Sequence, residues 1–188
     1  MVDNISSPAS MIANPAPLGL LAFGMTTVLL NLHNLGLYGL DSTILTMGIF
    51  YGGLAQVVAG IFEFKKGNTF GATAFTSYGL FWLTFVAINA GWVPASSDNI
   101  ALGAYFAIWG VLTLFLFIGT LKGNRALQVV FLTLAMLFFL VAIKDATGMS
   151  DIAYIAGAVG VLCGSAAIYT AFGEVLNEQY GKTLLPLG

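Results

Sequence analysis

Polar side chains set inside long apolar runs are where this sequence could do chemistry. The first run holds Thr26, Thr27, Asn31, His33 and Asn34, the second Gln56, and the third Thr69, Thr73, Thr76, Ser77 and Thr84. Hydroxyls and amides along an axis can replace the hydration of a carboxylate. An unpaired polar group is costly in hydrocarbon, so these residues are expected to face an interior. Such groups also bond between helices or back to their own backbone, and spacing does not separate the two roles. His33 is the single histidine and Cys163 the single cysteine. Neither has a companion at ligand spacing, so no metal site is expected. No nucleophile–base pair presents itself, so the chain does not read as an enzyme, and no catalytic residue or cofactor is assigned. His33 reads as a structural hydrogen bonder or as a pH sensor near a helix end.

The elements that must position these groups are six apolar runs at 15–34, 42–64, 69–91, 100–121, 125–144 and 152–176. Each is close to the ~20 residues that span ~30 Å of hydrocarbon. The connections at 36–41, 65–68, 92–99, 122–124 and 145–151 are short. The 188 residues are 59% hydrophobic and 7% charged, with a mean hydropathy of +0.93. A soluble domain carries about 25% charged residues, so an integral membrane protein is expected. Only helices or closed barrels cross lipid with their backbone satisfied, and the runs lack the alternation of barrel strands. The fold class is therefore all-α, with six transmembrane helices. Residues 1–13 read as a tail, 14–181 as the transmembrane domain and 182–188 as a second tail. The opening MVDNISSPAS has no basic region before an apolar core, so no cleavable signal peptide is expected. Net charge is −2 and no basic block is present, which excludes nucleic acid as an expected partner. Lys65, Lys66, Lys122, Arg125 and Lys182 fall on one side of the bilayer and only Lys144 on the other. The excess of cations marks the cytoplasmic side, so both termini are expected there.

A repeat organises the six runs. Lys66-Gly67-Asn68 ends the second and Lys122-Gly123-Asn124 the fourth. Each places Lys in a last turn, Gly at a C′ position and Asn as the cap of the next helix. Asn14 opens the first span, followed by Pro15, a residue suited to the first helical position. Asn14, Asn68 and Asn124 are 54 and 56 residues apart, so the chain reads as three helical hairpins. Packed about a pseudo-threefold axis, three capped N-termini meet at one face, and helix N-termini favour anions. Phe23 lies nine residues after Asn14, Tyr78 ten after Asn68 and Leu134 ten after Asn124. Each is then ~14 Å into its helix, near the bilayer middle. On axis-facing sides these three form an apolar constriction, which gates by removing hydration. Ordinary core or lipid-facing positions are the plainer alternative.

Glu63, Glu174 and Glu178 stand near helix C-termini, where they oppose the dipole, so they are expected to pair with Lys65, Lys66, Lys122 or Lys182. Lys144 and Asp145 read as a charge pair at the other interface. Ala156, Gly160 and Gly164, and the group Gly48, Gly52 and Gly53, allow close helix approach, within a protomer or between subunits.

Several stretches closely resemble one family. They are NPAPLGL at 14–20, FGMTTVLLNLHN at 23–34, GIFYGG at 48–53, EFKKGNTFG at 63–71, FTSYGLFW at 75–82, GTLKG at 119–123 and GEVLNEQYG at 173–181. The chain is similar to the YaaH/SatP family of acetate–succinate transporters over nearly all its length after the tail. The resemblance implies a six-helix protomer assembled as a hexamer in the bacterial inner membrane, each protomer with its own pathway for acetate and, in some members, succinate. It also implies a gate of one Phe, one Tyr and one Leu, matched here by Phe23, Tyr78 and Leu134. Anion channel and acetate–proton symport both remain open. A channel for small neutral solutes such as urea is the alternative, and a structural or sensory role is a further one.

Overall fold

The computed structural model describes residues 12–94 and 98–188. The tail expected over 1–13 thus lies outside the described residues except at 12 and 13, as do 95–97 of the 92–99 connection. Among the described residues, six helices are long and apolar enough to cross a membrane: α1 (Ala16–Asn34), α2 (Ser42–Lys66), α3 (Thr69–Asn89), α4 (Asn99–Thr120), α5 (Arg125–Thr147) and α6 (Ile152–Tyr180). Among the described residues there is no strand. Unlike the plain span expected from its apolar run, α2 is π-helical over Gly48–Ala55. Gly48 and Gly52 of this stretch lie against Trp82, and Gly52 also against Thr26. The three glycines let α2 approach α1 and α3 while its backbone takes the wider turn.

The three hairpins are α1–α2, α3–α4 and α5–α6. Their first helices form the inside of the bundle. Half of each most apolar window of α1 and α3 is buried, and 44% of that of α5, against 39%, 22% and 33% for α2, α4 and α6. Neighbouring backbones approach closely around the bundle except between α3 and α4. That seam is filled by rings instead: Phe81 of α3 stands 5.2 Å from Trp109 and 6.0 Å from Tyr105 of α4, centroid to centroid. Offset and edge contacts of this kind hold helices apart at a fixed spacing while still excluding lipid.

Two of the expected caps are formed as drawn. Asn68 Oδ1 accepts from the Gly71 N–H at 3.2 Å, and Asn124 Oδ1 from the Leu127 N–H at 2.8 Å. Asn14 stands one residue further out. The helix begins at Ala16 with Pro15 at the cap position, and Asn14 Oδ1 accepts from the Ala16 N–H at 3.3 Å. Gly67 takes the left-handed conformation (φ 78°) that ends α2, as expected of a C′ glycine. Gly123 does not. The Gln128 amide donates to the Thr120 and Gly123 carbonyls, both at 3.3 Å, and so satisfies the end of α4 without a left-handed turn. Replacing Asn68 or Asn124 by Ala is expected to cost about 1 kcal/mol each. That lowers Tm by about 2–4 °C for a chain of this size, measurable by thermal unfolding in detergent.

The C-terminal segment 182–188 is folded back along the bundle. Asn177 Oδ1 accepts from the Leu184 and Leu185 N–H groups at 2.6 and 3.0 Å, and the Ala126 N–H donates to the Leu187 carbonyl at 2.9 Å. The last bond satisfies a second free donor at the start of α5, beside the Asn124 cap.

Candidate functional site

Two cavities lie inside the bundle, one above the other. The cavity where α1, α3 and α5 end has a volume of about 250 Å³, and Thr27, Asn31, His33, Asn34, Trp82, Asn89, Lys144 and Asp145 provide its polar wall. The cavity where they begin measures about 230 Å³, and its polar wall is Asn14, Gln56, Lys66, Asn68, Tyr78 and Glu174. We call them the C-end and N-end cavities. Phe23 and Leu134 belong to the walls of both. Each arises from one stripe of a helix at three- and four-residue steps: Ala16, Leu20, Phe23, Thr27, Asn31 and Asn34 on α1, and Leu127, Val130, Leu134, Leu137, Val141 and Lys144 on α5.

Phe23, Tyr78 and Leu134 all line the N-end cavity, and Phe23 and Leu134 line the C-end cavity as well. They are 6%, 3% and 3% exposed, and the Phe23 and Tyr78 rings lie 6.0 Å apart. Tyr78 presents its ring, not its hydroxyl: the O–H donates to Thr113 Oγ1 on α4 at 2.9 Å. Thr113 in turn donates to the Trp109 carbonyl at 2.7 Å. The polar atom of the triad is therefore spent sideways, and what separates the cavities is apolar. Tyr78→Phe removes one hydrogen bond and leaves Thr113 satisfied by Trp109. It is expected to cost about 1 kcal/mol in thermal unfolding and to leave the ring in place.

Of the other residues singled out in the sequence, Thr27, Asn31, His33 and Asn34 line the C-end cavity and Gln56 the N-end cavity. Asn31 Nδ2 donates to the Thr27 carbonyl at 2.8 Å, and Asn34 Nδ2 donates to Asn31 Oδ1 at 3.0 Å. The Thr27 hydroxyl and both amide atoms of Gln56 are buried without a partner, as is the Trp82 indole N–H in the C-end cavity wall. His33 Nδ1 is 2.9 Å from the Tyr38 carbonyl. A carbonyl can only accept, so Nδ1 carries the hydrogen. Desolvation, and then the Asp41 carboxylate, raise the Tyr38 phenol above its usual range, and its O–H donates to the Leu29 carbonyl at 2.7 Å.

Thr26, Thr73 and Ser77 line neither cavity, contrary to the expectation. Thr26 is buried in the contact with Gly52 and donates to the Ala22 carbonyl at 2.8 Å. Thr73 is exposed on the outside of α3 and Ser77 is half-buried. Thr76 packs on Gly60 of α2, and Thr84 bonds to the Phe81 carbonyl and the Tyr105 hydroxyl. Thr76 and Thr84 thus serve helix contacts, and the stripe that reaches the cavities is Gly71, Ala74, Tyr78, Trp82, Phe85 and Asn89.

The glutamates also differ from expectation. Among the described residues, no ion pair joins Glu63, Glu174 or Glu178 to a lysine, whereas the Lys144–Asp145 pair is present at 2.8 Å. Asn14 stands between the charges instead. Its Nδ2 donates to Glu174 Oε2 at 2.9 Å and its Oδ1 accepts from Lys66 Nζ at 2.7 Å. Lys66 and Glu174 are thereby held on either side of one amide at the mouth of the N-end cavity. Ala156, Gly160 and Gly164 pack inside the protomer, with Gly160 against Asn31 and Gly164 against Gly24 and Val28 of α1. Among the described residues, no group of three His, Cys, Asp or Glu side chains is placed to hold a metal ion.

Residues 2–186 match the GPR1/FUN34/yaaH family. The chain belongs to that family. It is 60% identical over 181 residues to the succinate-acetate/proton symporter SatP of Escherichia coli (strain K12), covering 94% of this chain and 96% of that protein. It is 37% identical over 183 residues to ammonia transport outward protein 2 of Saccharomyces cerevisiae, covering 92% of this chain and 65% of that one. The solved structure of the bacterial acetate channel SatP superimposes with a TM-score of 0.91 at 60% identity, covering 94% of this chain and 99% of that chain.

Proposed function

We propose that this family member carries acetate and related small carboxylates, succinate among them, across the inner membrane through a pathway inside each protomer. The observation that carries this reading is a pair of cavities with polar walls whose shared wall is Phe23 and Leu134. Two of the matches above add to it, a relative named as the succinate-acetate/proton symporter SatP and a solved structure of the bacterial acetate channel SatP.

A small carboxylate entering the C-end cavity meets donors with no other use. The Thr27 hydroxyl and the Trp82 indole N–H are both buried and unpartnered. Asn34, His33 and the Lys144 ammonium lie nearer the mouth. In the N-end cavity the Gln56 amide, the Lys66 ammonium and the Asn68-capped start of α3 take the same part. Asn14, Pro15 and Asn124 set the helix starts around this mouth. Between them the carboxylate must shed its hydration against Phe23, Tyr78 and Leu134. Desolvating a charge costs far more than desolvating a neutral acid, so protons accompany the carboxylate through the constriction. The lysine-rich N-end faces the cytoplasm, which places both termini there. The protomers assemble as a homo-oligomer, a hexamer.

The test is labelled-acetate uptake into proteoliposomes beside planar-bilayer current, with purified protein under opposed acetate and proton gradients. Uptake driven by either gradient and carrying no current is expected, because one carboxylate with one proton has no net charge. A current whose reversal potential follows acetate alone makes the pathway an anion channel, and uptake inhibited by urea but not by propionate defeats the carboxylate assignment.

A further inference from the structure

One ionisable side chain has no part in the pathway described so far. Glu63 lies on the buried face of α2, seven residues after Gln56, and is 0% exposed. Among the described residues, neither of its carboxyl oxygens has a hydrogen-bond partner. The carboxyl rests against Gly71: a Cβ there would stand 2.9 Å from Glu63 Cδ and 2.7 Å from Asn68 Nδ2. Gly71 and Asn68 both line the N-end cavity. Gly71 thus both packs on the carboxyl and belongs to the cavity wall, while Glu63 itself is not a lining residue. Two turns earlier on α2, Gln56 adds a sign of a polar ligand in the N-end cavity itself. It is also 0% exposed, has neither amide atom bonded, and is itself in the cavity wall.

The charges around Glu63 leave it unpaired. Lys66, one turn further along α2, gives its ammonium to Asn14 Oδ1 at 2.7 Å. Lys65 lies over the Phe62 ring at 5.2 Å. From α6, Glu174 is bonded to Asn14, and it stands close enough to feel the charges of Glu63, Glu178 and Lys66. The carboxyl is therefore buried with neither a hydrogen-bond partner nor an ion pair among the described residues.

We propose that Glu63 is a proton-binding group of the N-end cavity that exchanges its proton with the small carboxylic acid crossing the constriction. The undissociated acid, having passed Phe23 and Leu134, gives its proton to the Glu63 carboxylate and departs as the anion. Protonated Glu63 then releases that proton to water at the same end. In reverse, an anion arriving from that end takes the proton from Glu63 and crosses as the neutral acid. One carboxylate and one proton move together and no other reactant is needed. Glu63 thus supplies close to the constriction a proton that bulk water delivers slowly at neutral pH. This inference rests on the carboxylate-transport reading above.

The test is exchange of labelled acetate across liposomes at fixed total acetate over a series of pH values, for the unaltered chain and for Glu63→Gln. At acid pH, where undissociated acid is plentiful, the two fluxes are expected to agree within about twofold. Above it, the variant should follow the undissociated acid and fall about tenfold per pH unit, while the unaltered chain falls less steeply. Glu63→Asp should restore part of the shallower profile. Profiles that run parallel at any offset, or a folded Glu63→Gln that is silent at every pH, overturn the proposal. If Glu63→Gln does not fold, infrared difference spectra of the unaltered chain take its place. Acetate added at neutral pH is expected to change a carboxylic-acid carbonyl band, and the absence of any change overturns the proposal. An unaltered chain that moves no acetate overturns the transport reading, and the proposal with it.

Discussion

Leu134→Ala is expected to admit lactate, raising its uptake from background to within about tenfold of acetate uptake. Leu134 is 3% exposed and belongs to the walls of both cavities, so truncating it is expected to join them. Acetate presents one methyl group to that level, and lactate is bulkier and carries a hydroxyl. The space released by the isobutyl group is what the larger acid needs. Deleting a buried leucine side chain costs about 2–5 kcal/mol. The low end applies here, because the new space opens onto cavities with polar walls and water can enter it. Phe23→Ala should act in the same sense at a greater cost of about 3–5 kcal/mol, since its ring also packs on Tyr78. Uptake of labelled acetate and lactate into proteoliposomes checks both variants. An unchanged substrate range with folded protein would show that these side chains do not limit the width of the path.

The six spans and the hairpin repeat were legible because each is written in long-range pattern. Apolar length, the Asn caps and the lysine-rich ends agree with one another over many residues. The common depth of Phe23, Tyr78 and Leu134 was legible because counting from a cap measures distance along a helix. What counting along the axis does not measure is rotation about it. Ser77 is one residue from Tyr78 and therefore roughly 100° round the helix, while Trp82, four residues on, shares its face. The same difference in phase separates Thr26 from Thr27. On α3, Ala74, Tyr78, Trp82, Phe85 and Asn89 share a face and line one or other cavity, and the threonines do not. The threonines drew attention through their chemistry, yet Thr84 satisfies its hydroxyl on the Phe81 carbonyl. Charge pairing misled in the same way. Lys66 and Glu174 are both at the N-end, but a neutral amide, Asn14, bonds to each of them. The π-helical stretch Gly48–Ala55 left only its glycines as a trace, and glycines alone also describe a straight close-packed helix.

Gly164→Val is expected to be the most damaging single change outside the cavities, because it strikes the contact that positions Phe23. A Cβ on Gly164 would lie 2.6 Å from the Gly24 carbonyl oxygen, and a Cβ on Gly24 would lie 2.7 Å from the Gly164 carbonyl oxygen. The two glycines face each other across α1 and α6, and in each direction the obstacle is backbone. A side-chain obstacle could rotate away, whereas here one helix must move as a body. Overpacking of a tight core costs about 1–3 kcal/mol and occasionally more, and two backbones in contact place this case at the upper end. For a chain of this size that lowers Tm by about 6–12 °C. Gly39→Ala is the matched control, since a Cβ there meets nothing within 4 Å, and it should lie within about 0.5 kcal/mol of the unaltered chain. Thermal unfolding of both variants in detergent decides the point, and equal Tm values would mean that the α1–α6 contact yields more easily than its geometry suggests. The consequence for the pathway is distinct from the loss of stability. Phe23 is the residue before Gly24, so a Gly164→Val protein that remains folded is expected to have its α1 displaced at the level of Phe23. Such a protein should transport acetate poorly even below its lowered Tm, whereas Gly39→Ala should transport normally.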